Sequence, residues 1–112
     1  AARDRLMDIM CNYQAYMKCT LILVFDAYKV KGNIGQMMSY HNIHVVYTKE
    51  AETADQYIEK LAHKIGRDYD VTVATSDGLE QLIIRGQGCH LFSAREFYDE
   101  VMRVEKRIRE QL

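Results

Sequence analysis

Leu21-Ile22-Leu23-Val24-Phe25 is an unbroken apolar run with β-branched and aromatic members. A strand whose side chains are apolar on both alternations has no face to give to water, so its sheet needs cover on both sides. The flanking segments carry the spacing of helices that could supply it. Upstream, Leu6, Ile9, Met10, Tyr13 and Met17 fall on one face of a helix running from about the first residues to Lys18. Downstream, Ile43 to Tyr47 reads as a second strand, Val71 to Thr75 as a third and Cys89 to Phe92 as a short fourth. Thr53 with Gln56, and Ser93 with Glu96, have the spacing of capping boxes. The first box opens a helix with a stripe of Ala54, Ile58, Leu61 and Ile65, stopped at Gly66. The second opens a final helix through Phe97, Val101, Val104 and Ile108. Ser76-Asp77-Gly78 leads into a short helix through about Ile84, which Gly86-Gln87-Gly88 breaks. Asp26 to His41 reads as a long connection with one helical turn near Gln36 to Ser39. Strands alternating with helices predict an α/β fold, a three-layer sandwich around a mainly parallel central sheet.

Composition narrows the function classes. At 112 residues the chain suits one domain. Its 15 Lys and Arg against 16 Asp and Glu exclude a polybasic arm or an acidic tail, so any nucleic-acid contact must come from a local patch. No apolar stretch approaches the roughly 20 residues of a membrane span. Cys11, Cys19 and Cys89 contain no C-x-x-C pair, which argues against a disulfide framework or a zinc knuckle and makes a cytoplasmic setting the expectation.

In open α/β sheets the ligand lies outside the carboxyl ends of the strands. Asp26 follows the first strand and Asp77 the third, while Glu52 and Asp55 lie at the head of the helix after the second. Taken singly, each has an ordinary structural explanation. Acids in a helix's first turn gain about 0.3–1 kcal/mol from its dipole, and Asp is a common cap or turn residue. Converging on one edge, however, four carboxylates would repel one another unless a cation lay among them. Their hard oxygens suit Mg²⁺ or Mn²⁺, which can activate water and neutralise charge on a phosphodiester. A nuclease, a phosphatase and a receiver-type domain share this pattern. Lys29, Lys31 and Lys49 lie in connections on the same edge, with Arg85 and Arg95 flanking it and Tyr28 and Tyr47 as stacking faces. As a group they would suit single-stranded RNA; one by one they read as a solvated rim. Two nucleotide motifs fail. Gly32-Asn33-Ile34-Gly35 lacks the Lys and Ser/Thr of a P-loop, and Gly86-Gln87-Gly88 is followed by Leu91 where the dinucleotide fingerprint needs glycine.

The order of short motifs adds a resemblance. Val24-Phe25-Asp26-Ala27-Tyr28, Val46 through Asp55, Ile58-Glu59-Lys60-Leu61, Val73-Ala74-Thr75-Ser76-Asp77, Gly86-Gln87-Gly88 and Ser93-Ala94-Arg95-Glu96 occur in succession. Together they resemble the YacP-like NYN domains of the PIN-like nuclease superfamily, over nearly the whole chain. That resemblance implies a metal-dependent endoribonuclease with an acidic Mg²⁺ or Mn²⁺ site, one bacterial class of which acts on messenger RNA at the ribosome. Matched by motif, Asp26, Asp55 and Asp77 become the expected catalytic and metal residues, with Glu52 a weaker metal candidate. Lys29, Lys31, Lys49, Arg85 and Arg95 become the expected RNA contacts. Family members begin with a strand ending in an Asp-Gly-Tyr-Asn-like motif, placed between the first and third strands named above, and nothing here matches it. Residues 1–112 are therefore expected to be one such domain, N-terminally truncated, with self-association through free strand edges. A module that binds RNA or the ribosome without cutting is the alternative.

Overall fold

The structure, a computed structural model describing residues 2–29 and 31–112, has four helices and five strands among the described residues. Their order is α1 (Ala2–Met17), β1 (Ile22–Phe25), β2 (Gln36–Tyr40), β3 (Ile43–Tyr47), α2 (Ala54–Ile65), β4 (Thr72–Ala74), α3 (Gly78–Gly86), β5 (His90–Phe92) and α4 (Ala94–Glu110). The fold is α/β. Its strands form two small sheets: a three-stranded one in the order β1-β3-β2, and the pair β4-β5.

Within these sheets β1 runs parallel to β3, pairing Ile22 with His44 and Phe25 with Tyr47, and β4 runs parallel to β5. The first sheet is nevertheless mixed, because β2 is antiparallel to β3, with Tyr40 opposite Ile43. This corrects the helical turn expected near Gln36 to Ser39, which is an edge strand. It also corrects the expectation of one mainly parallel central sheet. The hairpin turns at His41-Asn42, with His41 at a φ of 51°, a left-handed position that carries no glycine. A polar, Met-rich strand and a turn without Asn-Gly or Asp-Gly gave little local signal.

Burial of the strands also differs from the simplest reading of the apolar run. β1 is only half-buried along its length, since no strand flanks its outer edge among the described residues. The strand covered on both faces is β3: neighbouring Val45 and Val46 point to opposite sides and are 0% and 3% exposed. Val45 and Ile43 pack with Met7, Met10 and Tyr13 of α1 and Val101 and Val104 of α4. A second core joins Ala62 of α2, Val73 of β4 and Ile84 of α3. Both capping boxes are formed, at Thr53/Gln56 and Ser93/Glu96. Gly66 ends α2 where a Cβ would meet the Ala62 carbonyl oxygen at 2.6 Å. No helix among the described residues is long and apolar enough to cross a membrane.

Candidate functional site

Asp26 sits just past β1 in a loop fastened to the segment after β3. Thr48, 1% exposed, accepts a hydrogen bond from Ala27 N at its Oγ1, 2.9 Å away, and its own N–H donates to the Phe25 carbonyl at 3.1 Å. Ala51 N donates to the Tyr28 carbonyl and Glu50 N to the Asn33 carbonyl, extending the seam. Asp26 Oδ1 accepts from Ala54 N, the first residue of α2. The Asp26 carboxylate thus lies at the head of the helix whose first turn holds Asp55. Asp77 is the N-cap of α3, its Oδ1 accepting from Leu79 N at 2.9 Å and Glu80 N at 3.2 Å. Two helix N-termini, each with partial positive charge, therefore meet this acidic group. Thr48→Val, which keeps the shape but removes the acceptor for Ala27 N, is expected to lower stability by about 1–3 kcal/mol. Urea unfolding would measure that loss.

The electrostatics show which carboxyls share a field. Burial pushes the Asp55 pKa above its usual value; the charges of Asp77 and Asp26, a hydrogen bond with Asp77 and the charge of Glu59 push it further. Asp26, Asp55 and Asp77 are brought together. Two further acids that sequence reading passed over join them. Glu80, only 2% exposed, has its pKa raised to about 8, first by burial, then by a hydrogen bond with Glu59 and by the charges of Glu59, Asp55 and Asp77. Among the described residues, Glu80 Oε1 has no hydrogen-bond partner. A signal for Glu59 was present: Asp55 and Glu59 are like charges at i and i+4, an arrangement that costs an isolated helix about 0.2–0.5 kcal/mol. Glu80 was hidden by its position three residues after the Asp77 cap, where an acid is ordinary.

The remaining candidates are placed differently. Glu52 is buried and ion-paired with Lys60. Its charge acts on Tyr57, whose pKa is raised first by burial and then by Glu52. Lys29, Lys31, Lys49, Arg85 and Arg95 are all exposed. The Lys29 ammonium lies 5.6 Å from the Tyr28 ring, and Lys49 lines an open cleft of about 350 Å³ with Glu52, Glu59 and Lys60. Arg95 pairs with Asp99 at 3.5 Å. Arg85, in the last turn of α3, acts on Glu96 at the start of α4. Tyr47 is no free stacking face, since it stacks on Phe25 at 5.5 Å with Arg3 over both rings. Among the described residues, no three His, Cys, Asp or Glu side chains are grouped closely enough to hold a metal ion directly.

Comparison with known proteins agrees with this architecture. The family described as the YacP-like NYN domain matches residues 1–112. The chain is 46% identical over 108 residues to "Uncharacterized protein YacP" of Bacillus subtilis (strain 168), covering 96% of this chain and 63% of that protein. It is also similar to the crystal structure of Rae1 (YacP) from Bacillus subtilis, with a TM-score of 0.79, 45% identity, and coverage of 98% of this chain and 63% of that one. A single-substitution variant of that protein gives a TM-score of 0.81 at 43% identity, covering 97% and 63% of the two chains. The chain thus spans less than two thirds of the length of these relatives.

Proposed function

The chain belongs to the YacP-like NYN domain family, a nuclease-like, RNA-related family, and on that premise we propose that it is a metal-dependent endoribonuclease domain cleaving single-stranded RNA, messenger RNA included. The observation that carries the reading is the meeting of Asp26, Asp55 and Asp77 at the heads of α2 and α3. Such a donor set, all carboxylate oxygen and mutually repulsive, fits a hard divalent cation. One or two of Asp26, Asp55 and Asp77 would hold Mg²⁺ or Mn²⁺ directly, the rest of the ion's shell being water or substrate phosphate. When bound, such an ion offsets charge on the scissile phosphodiester and makes a water nucleophile available near neutral pH.

The chain's own residues do the rest. Asp77, held through Oδ1 by two backbone N–H groups, keeps its carboxylate fixed rather than swinging with the substrate. Asp26 is fixed in the same way by Ala54 N. Asp55, its proton affinity raised by burial and then by the charges of Asp77 and Asp26, ionises less readily when no cation offsets those charges. Lys29, Lys31 and Lys49, in the loops sewn together beside Asp26, supply cations for backbone phosphates, and Tyr28 offers a ring to a base. Arg85, in the last turn of α3, and Arg95, near the start of α4, would supply further cations for RNA phosphates. Labelled single-stranded RNA should be cut with Mn²⁺ and left whole with EDTA. Binding that persists in Mn²⁺ with no cut strand would instead assign an RNA- or ribosome-binding module.

A further inference from the structure

Glu52 is the acid that the proposed cation site leaves aside. Its Oε2 is paired with Nζ of the exposed Lys60. Among the described residues its Oε1 has no hydrogen-bond donor, and it is open to solvent. Glu52 stands in the wall shared by two open clefts. One, of about 350 Å³, has Lys49, Glu59 and Lys60 around it; the other, of about 220 Å³, has Ile34, Met37 and Tyr57. Ile34 and Met37 are exposed, so the smaller cleft keeps apolar surface in water. Its rim is fastened in place. Asn33 Nδ2 donates to the Thr48 carbonyl at 2.8 Å and Gly32 N to Glu50 Oε2 at 2.7 Å. Gly35, at a φ of 84°, lies so close to Lys49 that a Cβ would meet the Lys49 Cβ at 3.2 Å. Glu59, four residues after Asp55 on α2, puts the larger cleft on the helix face that also carries Asp55.

An ammonium with donors to spare, beside a carboxylate with a free oxygen, matches a nucleobase edge that presents an acceptor next to donors. Guanine fits best: its O6 accepts, while N1–H and the N2 amine both donate toward one carboxylate. Adenine, cytosine and uracil offer no such adjacent pair of donors. Single-stranded RNA is read in this manner, with unstacked bases laid on aromatic side chains and hydrogen-bonded at their edges. We propose that the adjoining clefts hold one unstacked nucleotide of single-stranded RNA beside the acidic group and select guanine. Glu52 accepts from N1 and N2, Lys60 donates to O6, and Tyr57 is the platform for the ring. Lys49 remains with a flanking phosphate. The inference rests on the RNA reading above and adds to it a base preference and the residues that set it.

The test uses binding in EDTA, so that no cutting intervenes. By fluorescence anisotropy, short oligouridines with one central guanosine should bind wild type about fivefold or more tighter than those with adenosine or cytidine, the scale of one bidentate base contact. Inosine keeps O6 and N1–H but lacks the N2 amine, and should lose most of that advantage; this arm needs no variant protein. Glu52→Gln should erase the preference, the loss falling on the guanosine RNA, whereas a merely structural Glu52 would weaken all the RNAs alike. Tyr57→Ala should weaken every RNA about fivefold or more. Thermal melting identifies the variants that are folded. Wild-type binding that ignores the central base, or equal affinity for guanosine and inosine, would overturn the guanine subsite and leave the RNA reading standing. A preference that survives in folded Glu52→Gln would overturn the role of Glu52. Binding to none of these RNAs would remove the RNA reading itself, and this inference with it.

Discussion

Asp77→Asn is expected to reduce Mn²⁺-dependent RNA cleavage by about 100-fold or more, since loss of even an outer metal partner reaches that scale. Its melting temperature should equal or slightly exceed that of wild type. The two effects separate because Asp77 does two jobs with one side chain. As the α3 cap it needs only an oxygen facing Leu79 N and Glu80 N, and Asn caps a helix as well as Asp does. As a member of the acidic group it needs its charge, which Asn lacks. Removing that charge also relieves Asp55, whose pKa Asp77 helps to raise, so the cation-free fold loses a repulsion. Asp77→Ala makes the contrast. It discards the cap as well and should cost about 0.5–2 kcal/mol of stability. RNA-cleavage rates in Mn²⁺ beside thermal melts of the three proteins decide the matter. Wild-type cleavage by a well-folded Asp77→Asn protein would reduce Asp77 to a helix cap and remove it from the proposed site.

That dual role shows what could be read from the chain and what could not. Helix starts were legible because caps are local: Thr53 and Gln56 meet across three residues, as do Ser93 and Glu96, and no distant contact is needed to form either box. Asp26 and Asp77 were legible as residues that follow parallel strands, but β1 and β4 lie in separate sheets, so the field they share with Asp55 comes from packing and not from one sheet edge. The apolar run at Leu21 to Phe25 announced a need for cover but could not say which strand lies inside. That depends on neighbours, and β3, flanked by β1 and β2, takes the central place. β2 escaped notice because Gln36-Met37-Met38-Ser39-Tyr40 owes its strand state to pairing with β3, not to its own propensity. Lys60 and Glu52 are eight residues apart across a helix start, a spacing with no local rule behind it. The burial of Glu80 is likewise a product of packing α3 on α2.

Glu80 also makes a prediction for the cation-free protein: stability should fall as pH rises from about 5 to 8, by up to about 1.4 kcal/mol per pH unit for the single proton involved. The sign follows from the direction of its shift. In the fold its pKa is raised from 4.5 to about 8, foremost by burial and then by Glu59, Asp55 and Asp77. Between those values the native chain holds a proton that the unfolded chain has released. Stability is therefore full below the unfolded value and is lost as pH climbs through the folded one. Asp55, also raised, acts with the same sign. Opposing groups work outside the window. The Ser93 backbone hydrogen bond lowers the Glu96 pKa, and the Arg103 hydrogen bond lowers that of Glu100, so their stabilisation is lost only in more acidic solution. Tyr13, raised to about 12 chiefly by burial, enters only in strong alkali. Glu80→Gln places a permanently neutral group in the same space, with an amide that can still donate to Glu59. Its urea-unfolding stability in EDTA should be nearly flat from pH 5 to 8 and should overtake wild type toward the alkaline end. Parallel pH profiles for the two proteins would mean that Glu80 does not hold its proton in the fold, and that the acidic group between α2 and α3 carries its full negative charge without a cation.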